Sequence, residues 1–246
     1  MTPVSHATGA AAPAPMSLPA RYVGVITAPK ATFQSIAAHP RWLGILVLTT
    51  VIAALFSALP TTTPEGQQAA LDQQVRQTEA WGGQVDDAGY ERMRKGVAYT
   101  PYITVAFIVI IGPIFALIIA GILFAVFNAA MGGDASFKQL FAVVAGAGAV
   151  SSLSAVFSGL INYFRGAVGS ATTLGVLLPM VEEDSFVGRL MGAIDIFLIW
   201  WIVVLAIGLG VLYRRRTQPI ATSLLVVYGL IAVGIAAVMS GLGGSN

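Results

Sequence analysis

The apolar residues of this chain gather in long runs, with charge confined to their flanks and to the polar connections between them. Crossing a hydrocarbon core takes roughly 20 helical residues. Five runs approach or exceed that length: Trp42–Leu59, Tyr102–Ala130, Leu140–Phe164, Ile194–Tyr213 and Ile220–Gly241. Helix is the reading for all five, because a helix pairs its own backbone polar groups where no water is present. The second run is the longest, and Pro113 after Gly112 removes a helical hydrogen bond and predicts a kink.

The connections add detail. Before the first run, "ITAPKATFQSIAAHPRW" predicts a short helix opened by Thr27, with Pro29 near its start and its end before Pro40. Phe33 and Ile36, three apart, are expected to face lipid together, with Lys30 and Arg41 meeting phosphates. Residues 60–101 hold six acids and four bases, and "EGQQAALDQQVRQTEAW" within them has helical spacing, with Leu71, Val75 and Thr78 as a thin seam. Asp86-Asp87 lacks the alternating oxygen ligands of a calcium loop, so a solvated turn is expected there. In "GGDASFKQLF", Ser136 and Gln139 form a capping box that opens the third run. Gly146 and Gly148 in "AGAGAVSS" sit inside an apolar helix, where small residues let neighbours approach; Ser151, Ser152 and Ser154 are expected to bond between helices.

Composition agrees with a membrane protein: 57% hydrophobic, 10% charged, mean hydropathy +0.82. A soluble domain carries about 25% charged residues. The thirteen Lys and Arg are scattered without a basic stripe, so no nucleic-acid partner is expected. Absence of cysteine excludes disulfides, thiolate nucleophiles and Cys-ligated metal. The opening "MTPVSHATGAAAPAPMSLPA" has neither a basic start nor an apolar segment before its Ala-rich stretch, and is read as a disordered tail. The fold expected is therefore all-α and polytopic: a disordered tail 1–21, a membrane domain 22–241 of five transmembrane helices with a short interfacial helix at its start, and a C-terminal tail 242–246.

Orientation follows from basic residues beside the runs. Arg21, Lys30, Arg41, Lys138 and the triplet Arg214, Arg215 and Arg216 share one side with a single acid, Asp134; the other side holds six bases and nine acids. The triplet directly after the fourth run decides for a cytoplasmic N-terminus and an outside C-terminus, in a bacterial inner membrane.

Asp195, at the mouth of "IDIFLIWWIVVLAIGLGVLYRRR", has two readings. In a helix starting at Ile194 it occupies the first turn, where dipole and free N–H groups favour a carboxylate by about 0.3–1 kcal/mol. In a helix starting near Leu190 it lies about 8 Å inside and needs a partner, with Asn162 and Arg189 as candidates, or a water-filled cavity. A catalytic role needs a second group, and no histidine lies in a run.

Three segments, "APKATFQSIAAHPRW", "FNAAMGGDASFKQLFAVVA" and "IDIFLIWWIVVLAIGLG", together resemble the bacterial branch of the YIP family, named for interaction with Ypt/Rab GTPases. The resemblance runs through residues 22–240, outside the acidic loop, and matches Pro29, Phe33 and Pro40, then Gly133, Phe137 and Lys138, then Asp195, Phe197 and Trp200. It implies a five-helix membrane protein without established enzymatic activity. Eukaryotic relatives act in vesicle traffic through small GTPases and a long cytoplasmic N-terminal region, which is short here.

The expected function is a non-enzymatic scaffold or membrane-organising protein, with the bilayer and a membrane or cytoplasmic protein as partners, open to homo-oligomers and needing no cofactor or metal. Asp195, Phe197 and Trp200 would lock the fourth run against its neighbours. The alternative is a small-solute or ion transporter or channel component, motivated by Asp195, Pro113 and the in-run glycines. An enzyme built on the acidic loop is a third reading.

Overall fold

The computed structural model describes residues 14–80, 82–177, 180–181 and 185–243. Residues 1–13 of the expected tail 1–21, the acids 182–184 and the last three residues lie outside the described residues.

Two ten-residue helices come first, α1 (Leu18–Thr27) and α2 (Pro29–Ala38), each with proline in its first turn, where the missing N–H is of no consequence. The single entry helix expected from the sequence is thus a pair, and the expected tail is shorter because Leu18 already opens α1. Thr27 closes α1 instead of capping α2, and its hydroxyl donates to the Val23 carbonyl.

The long apolar helices follow: α3 (Trp42–Ala58), α6 (Thr100–Phe124), α7 (Phe137–Arg165), α10 (Ile196–Leu212) and α11 (Thr217–Gly243). With their continuations, four stretches are long and apolar enough to cross a membrane: Trp42–Thr62, Asp87–Ala130, Phe137–Arg165 and Thr217–Ser240. Helix α10 is also apolar but shorter, at 17 residues. The acidic connection is folded as α4 (Pro64–Ala80) and α5 (Asp87–Gly96). Leu71, the first residue of its predicted seam, is buried with Ala70 and Val97. Asp86 caps α5 by accepting from the Gly89 N–H at 2.7 Å.

Helix α7 is the hub. Between Leu140 and Val150 it is buried at every position except Gly148, which is partly buried. Helices α1, α2, α3, α6 and α10 all pack on it. It starts at the predicted capping box: Ser136 Oγ accepts from the Gln139 N–H, and the Gln139 side chain accepts from the Ser136 N–H. It ends at Gly166, whose φ of +59° suits a residue without a Cβ. Helix α10 runs antiparallel along it: Phe157 meets the Phe197 ring near the start of α10, and Val143 lies against Gly208 near its end.

The lipid-facing role expected of Phe33 and Ile36 is corrected. They are 0% and 1% exposed and belong to the main core. The reason is a pair of glycines: a Cβ on Gly146 would stand 3.2 Å from the Phe33 ring and 3.1 Å from Ile36, and one on Gly208 3.1 Å from the Phe33 ring. Phe33 fills the space those glycines leave between α7 and α10, so α2 packs as part of the bundle. The small residues of "AGAGAVSS" do what the sequence predicts, with α2 approaching at Gly146 and α3, through Thr49, at Gly148. Ser152 also bonds between helices: its hydroxyl donates to the Ala149 carbonyl, so the Tyr22 hydroxyl, 2.9 Å away, donates to it.

Candidate functional site

Three clusters gather the chemistry-bearing side chains. The first surrounds Asp195. Short α8 (Leu174–Leu177) and α9 (Phe186–Ala193) precede α10, and the chain breaks out of helix at Ile194 and Asp195. Asp195 is therefore the N-cap of α10 and not a residue inside a longer helix. Its Oδ1 accepts from the N–H groups of Phe197 and Leu198 at 2.8 and 3.1 Å, the donors that a helix start leaves free. Its Oδ2 accepts from the Ser170 and Thr172 hydroxyls at 2.8 and 2.5 Å. The backbone joins in: Leu174 N–H donates to the Ile194 carbonyl, Ile196 N–H to the Thr172 carbonyl, and Thr173 and Asp195 form an antiparallel bridge. Tyr228 of α11 completes the knot, its hydroxyl accepting from the Asp195 N–H and donating to the Ala193 carbonyl.

Asn162 is 7% exposed and does not hold Asp195 directly. Its side-chain amide donates to the Gly169 carbonyl at 2.6 Å, fixing the segment that carries Ser170 and Thr172. The guanidinium of Arg189 donates to the Met239 carbonyl. Phe197 stacks obliquely between Phe157 and Trp200, with centroids 5.7 and 5.8 Å away. Asp195, Phe197, Trp200 and Asn162 thus lie at the junction of α7, α10 and α11, and the hydroxyls of Ser170, Thr172 and Tyr228 are partners that no motif singled out.

The second cluster closes the opposite end. A π-helical turn, Ala125–Ala130, follows α6. Asn128 there accepts from the Tyr213 hydroxyl at 2.6 Å and donates to the Ala135 carbonyl at 2.7 Å. The Tyr213 ring stacks on Phe127 at 4.8 Å and leaves no room for a side chain at Gly133, where a Cβ would come within 2.6 Å of it. The arginine triplet turns the chain from α10 into α11. Arg214 N–H donates to the Val211 carbonyl and Arg215 N–H to the Gly210 carbonyl, the two bonds of a Schellman end. Arg214 takes the left-handed position, φ +51°, that glycine usually fills. Arg215 donates to the Met131 carbonyl. All three are exposed, as are Lys30 and Arg41.

The third cluster is smaller. Arg21 of α1 is 7% exposed; it donates to the Arg41 carbonyl at 2.5 Å while its Nε is buried without a partner. Burial, and after it the neighbouring charge of Arg41, hold Arg21 below the usual guanidinium range. Among the described residues, no three His, Cys, Asp or Glu side chains come together as metal ligands.

The Yip1 domain model matches residues 23–239, and the chain belongs to that family. It is also similar to a membrane protein of Bacillus subtilis (strain 168), YknW, at 25% identity over 212 residues, 85% of this chain and 86% of the relative. No solved structure matches the chain.

Proposed function

We propose that this Yip1-domain membrane protein is a non-enzymatic scaffold that organises the bilayer around it and holds a membrane or cytoplasmic protein partner. The observation that carries the reading is the use made of Asp195. Both carboxylate oxygens are engaged, one by a helix start and the other by two hydroxyls, which is the behaviour of a fastening group. Asp195 also borders a cavity of about 210 Å³ with Ser151 and Ser154, but its two oxygens already accept four hydrogen bonds, whereas a carboxylate that carried protons or ions through a membrane would turn acceptor capacity toward such a cavity.

The same reading has five crossings, with the N-terminus in the cytoplasm and the C-terminus outside. Helix α10 lies antiparallel to α7 from Phe157 to Val143, and 17 residues span about 26 Å at roughly 1.5 Å each, close to a core of about 30 Å. The arginine triplet beyond its end fits the cytoplasmic side.

A transporter is the second reading, favoured by two cavities: a polar one of about 410 Å³ bounded by Thr61, Gln73, Gln77, Thr104, Ser158 and Asn162, and the smaller one that Asp195 borders. The two are separated by reconstitution. The scaffold reading expects solute uptake across a broad panel to be equal in vesicles with and without the protein, and a defined protein to co-purify in mild detergent. Uptake that depends on the protein would reverse the choice.

A further inference from the structure

An apolar groove of about 540 Å³ lies between α3, α6 and the first turn of α7. Leu46, Val47, Val51 and Val109 line it, and Trp42 and Lys138 stand at one end. From Trp42 to Val51 the helix rises about 14 Å at roughly 1.5 Å per residue, half of a hydrocarbon core of about 30 Å. The groove is therefore one leaflet deep, and its charged end is at the surface of that leaflet.

That end has the composition of a headgroup seat. Lys138 is the one charged residue lining the groove. It is exposed, and among the described residues it makes no ion pair or hydrogen bond. Trp42 packs edge-on against Phe141 with centroids 5.0 Å apart, and Phe137 lies parallel to Phe141 at 6.1 Å. Aromatic rings with an ammonium beside them are what a lipid meets at the boundary between tail and headgroup.

We propose that this groove seats one acyl chain of an anionic phospholipid whose phosphate pairs with Lys138. Complementary charge selects the anionic lipid, since a zwitterionic headgroup brings its own cation to the site. The seat deepens the membrane-organising role proposed above and rests on it only for the choice of the cytoplasmic leaflet.

Native mass spectrometry of the full chain, equilibrated in mild detergent with equal phosphatidylglycerol and phosphatidylethanolamine, reads the seat directly. Wild type should retain the anionic lipid with about five-fold preference, the scale of one lysine at a charged surface. Lys138→Gln should still hold lipid but near parity. Val47→Trp, at a position 51% exposed and so tolerant of bulk, should lose retention of both. Equal retention of the two lipids by wild type, or a preference unchanged in both variants, would overturn the proposal. Should a variant fold poorly, quenching of wild-type fluorescence by phosphatidylglycerol brominated on its acyl chain decides: it should exceed that by the brominated ethanolamine lipid, and the excess should vanish in Trp42→Phe. Loss of lipid preference with a protein partner still co-purifying would sink the seat and leave the scaffold standing.

Discussion

The Thr172 hydroxyl donates to the Asp195 carboxylate at 2.5 Å, from a loop 23 residues earlier in the chain. That bond ties the end of α7 to the start of α10, and Tyr228 extends the tie to α11. Truncation at Asp195 should therefore cost more than a helix cap. Losing a cap costs about 0.5–2 kcal/mol, and hydrogen bonds to a charged group add about 1.5–3 kcal/mol. Asp195→Ala should destabilise by about 2–4 kcal/mol in detergent unfolding. Asp195→Asn, which keeps the cap but meets the two hydroxyls with one oxygen fewer, should cost about 1 kcal/mol.

The Phe33 ring between Gly146 and Gly208 sets a second test. A Cβ at Gly208 would stand 2.5 Å from Val143 and 3.1 Å from Phe33, so Gly208→Ala should cost about 1–3 kcal/mol by overpacking. Phe33→Ala empties a fully buried site and should cost about 3–5 kcal/mol. The two changes share a contact, and the double variant should be measurably less unstable than their sum. Additive losses would mean that α2 does not seat against α10.

Arg214 occupies a left-handed position that costs a residue with a Cβ roughly 1–2 kcal/mol. Arg214→Gly should raise the unfolding temperature, by the equivalent of about 1 kcal/mol. The gain is separable from the charge: Arg216→Gln, at an exposed position, should leave the unfolding temperature nearly unchanged.

The absence of cysteine gives the topology a clean test. Gln84 and Asp134 are both exposed, on connections expected to face opposite sides. In intact cells a membrane-impermeant maleimide should label Gln84→Cys and spare Asp134→Cys until the membrane is opened. The reverse pattern would invert the proposed orientation.

The membrane class, the Ser136–Gln139 capping box and the close-packing glycines were legible because each follows from local spacing or composition. The capping half of Asp195 was legible too, since a carboxylate just ahead of an apolar run is a helix-start signal. Its other half was not: Ser170, Thr172 and Tyr228 reach it from distant positions, and hydroxyls in a loop or an apolar helix carry no periodic signal. Phe33 and Ile36 were misread for a related reason. Three-residue spacing gives a helix one apolar face, but lipid and a neighbouring helix both accept such a face, and only Gly146 and Gly208, more than a hundred residues later, decide between them. Arg21 counted in the sequence only among the charges that set orientation, because nothing local marks its partner: the Arg41 carbonyl, 20 residues on, holds it buried.

In the proposed scaffold Asp195 fastens the bundle and carries no solute. Reconstituted wild type and Asp195→Asn should be compared side by side for thermal unfolding and for uptake of the same solute panel. The variant should unfold at a lower temperature, and both proteins should give uptake equal to that of empty vesicles. A variant that unfolds at the wild-type temperature and abolishes an uptake present in wild type would contradict that role and make Asp195 a transport residue.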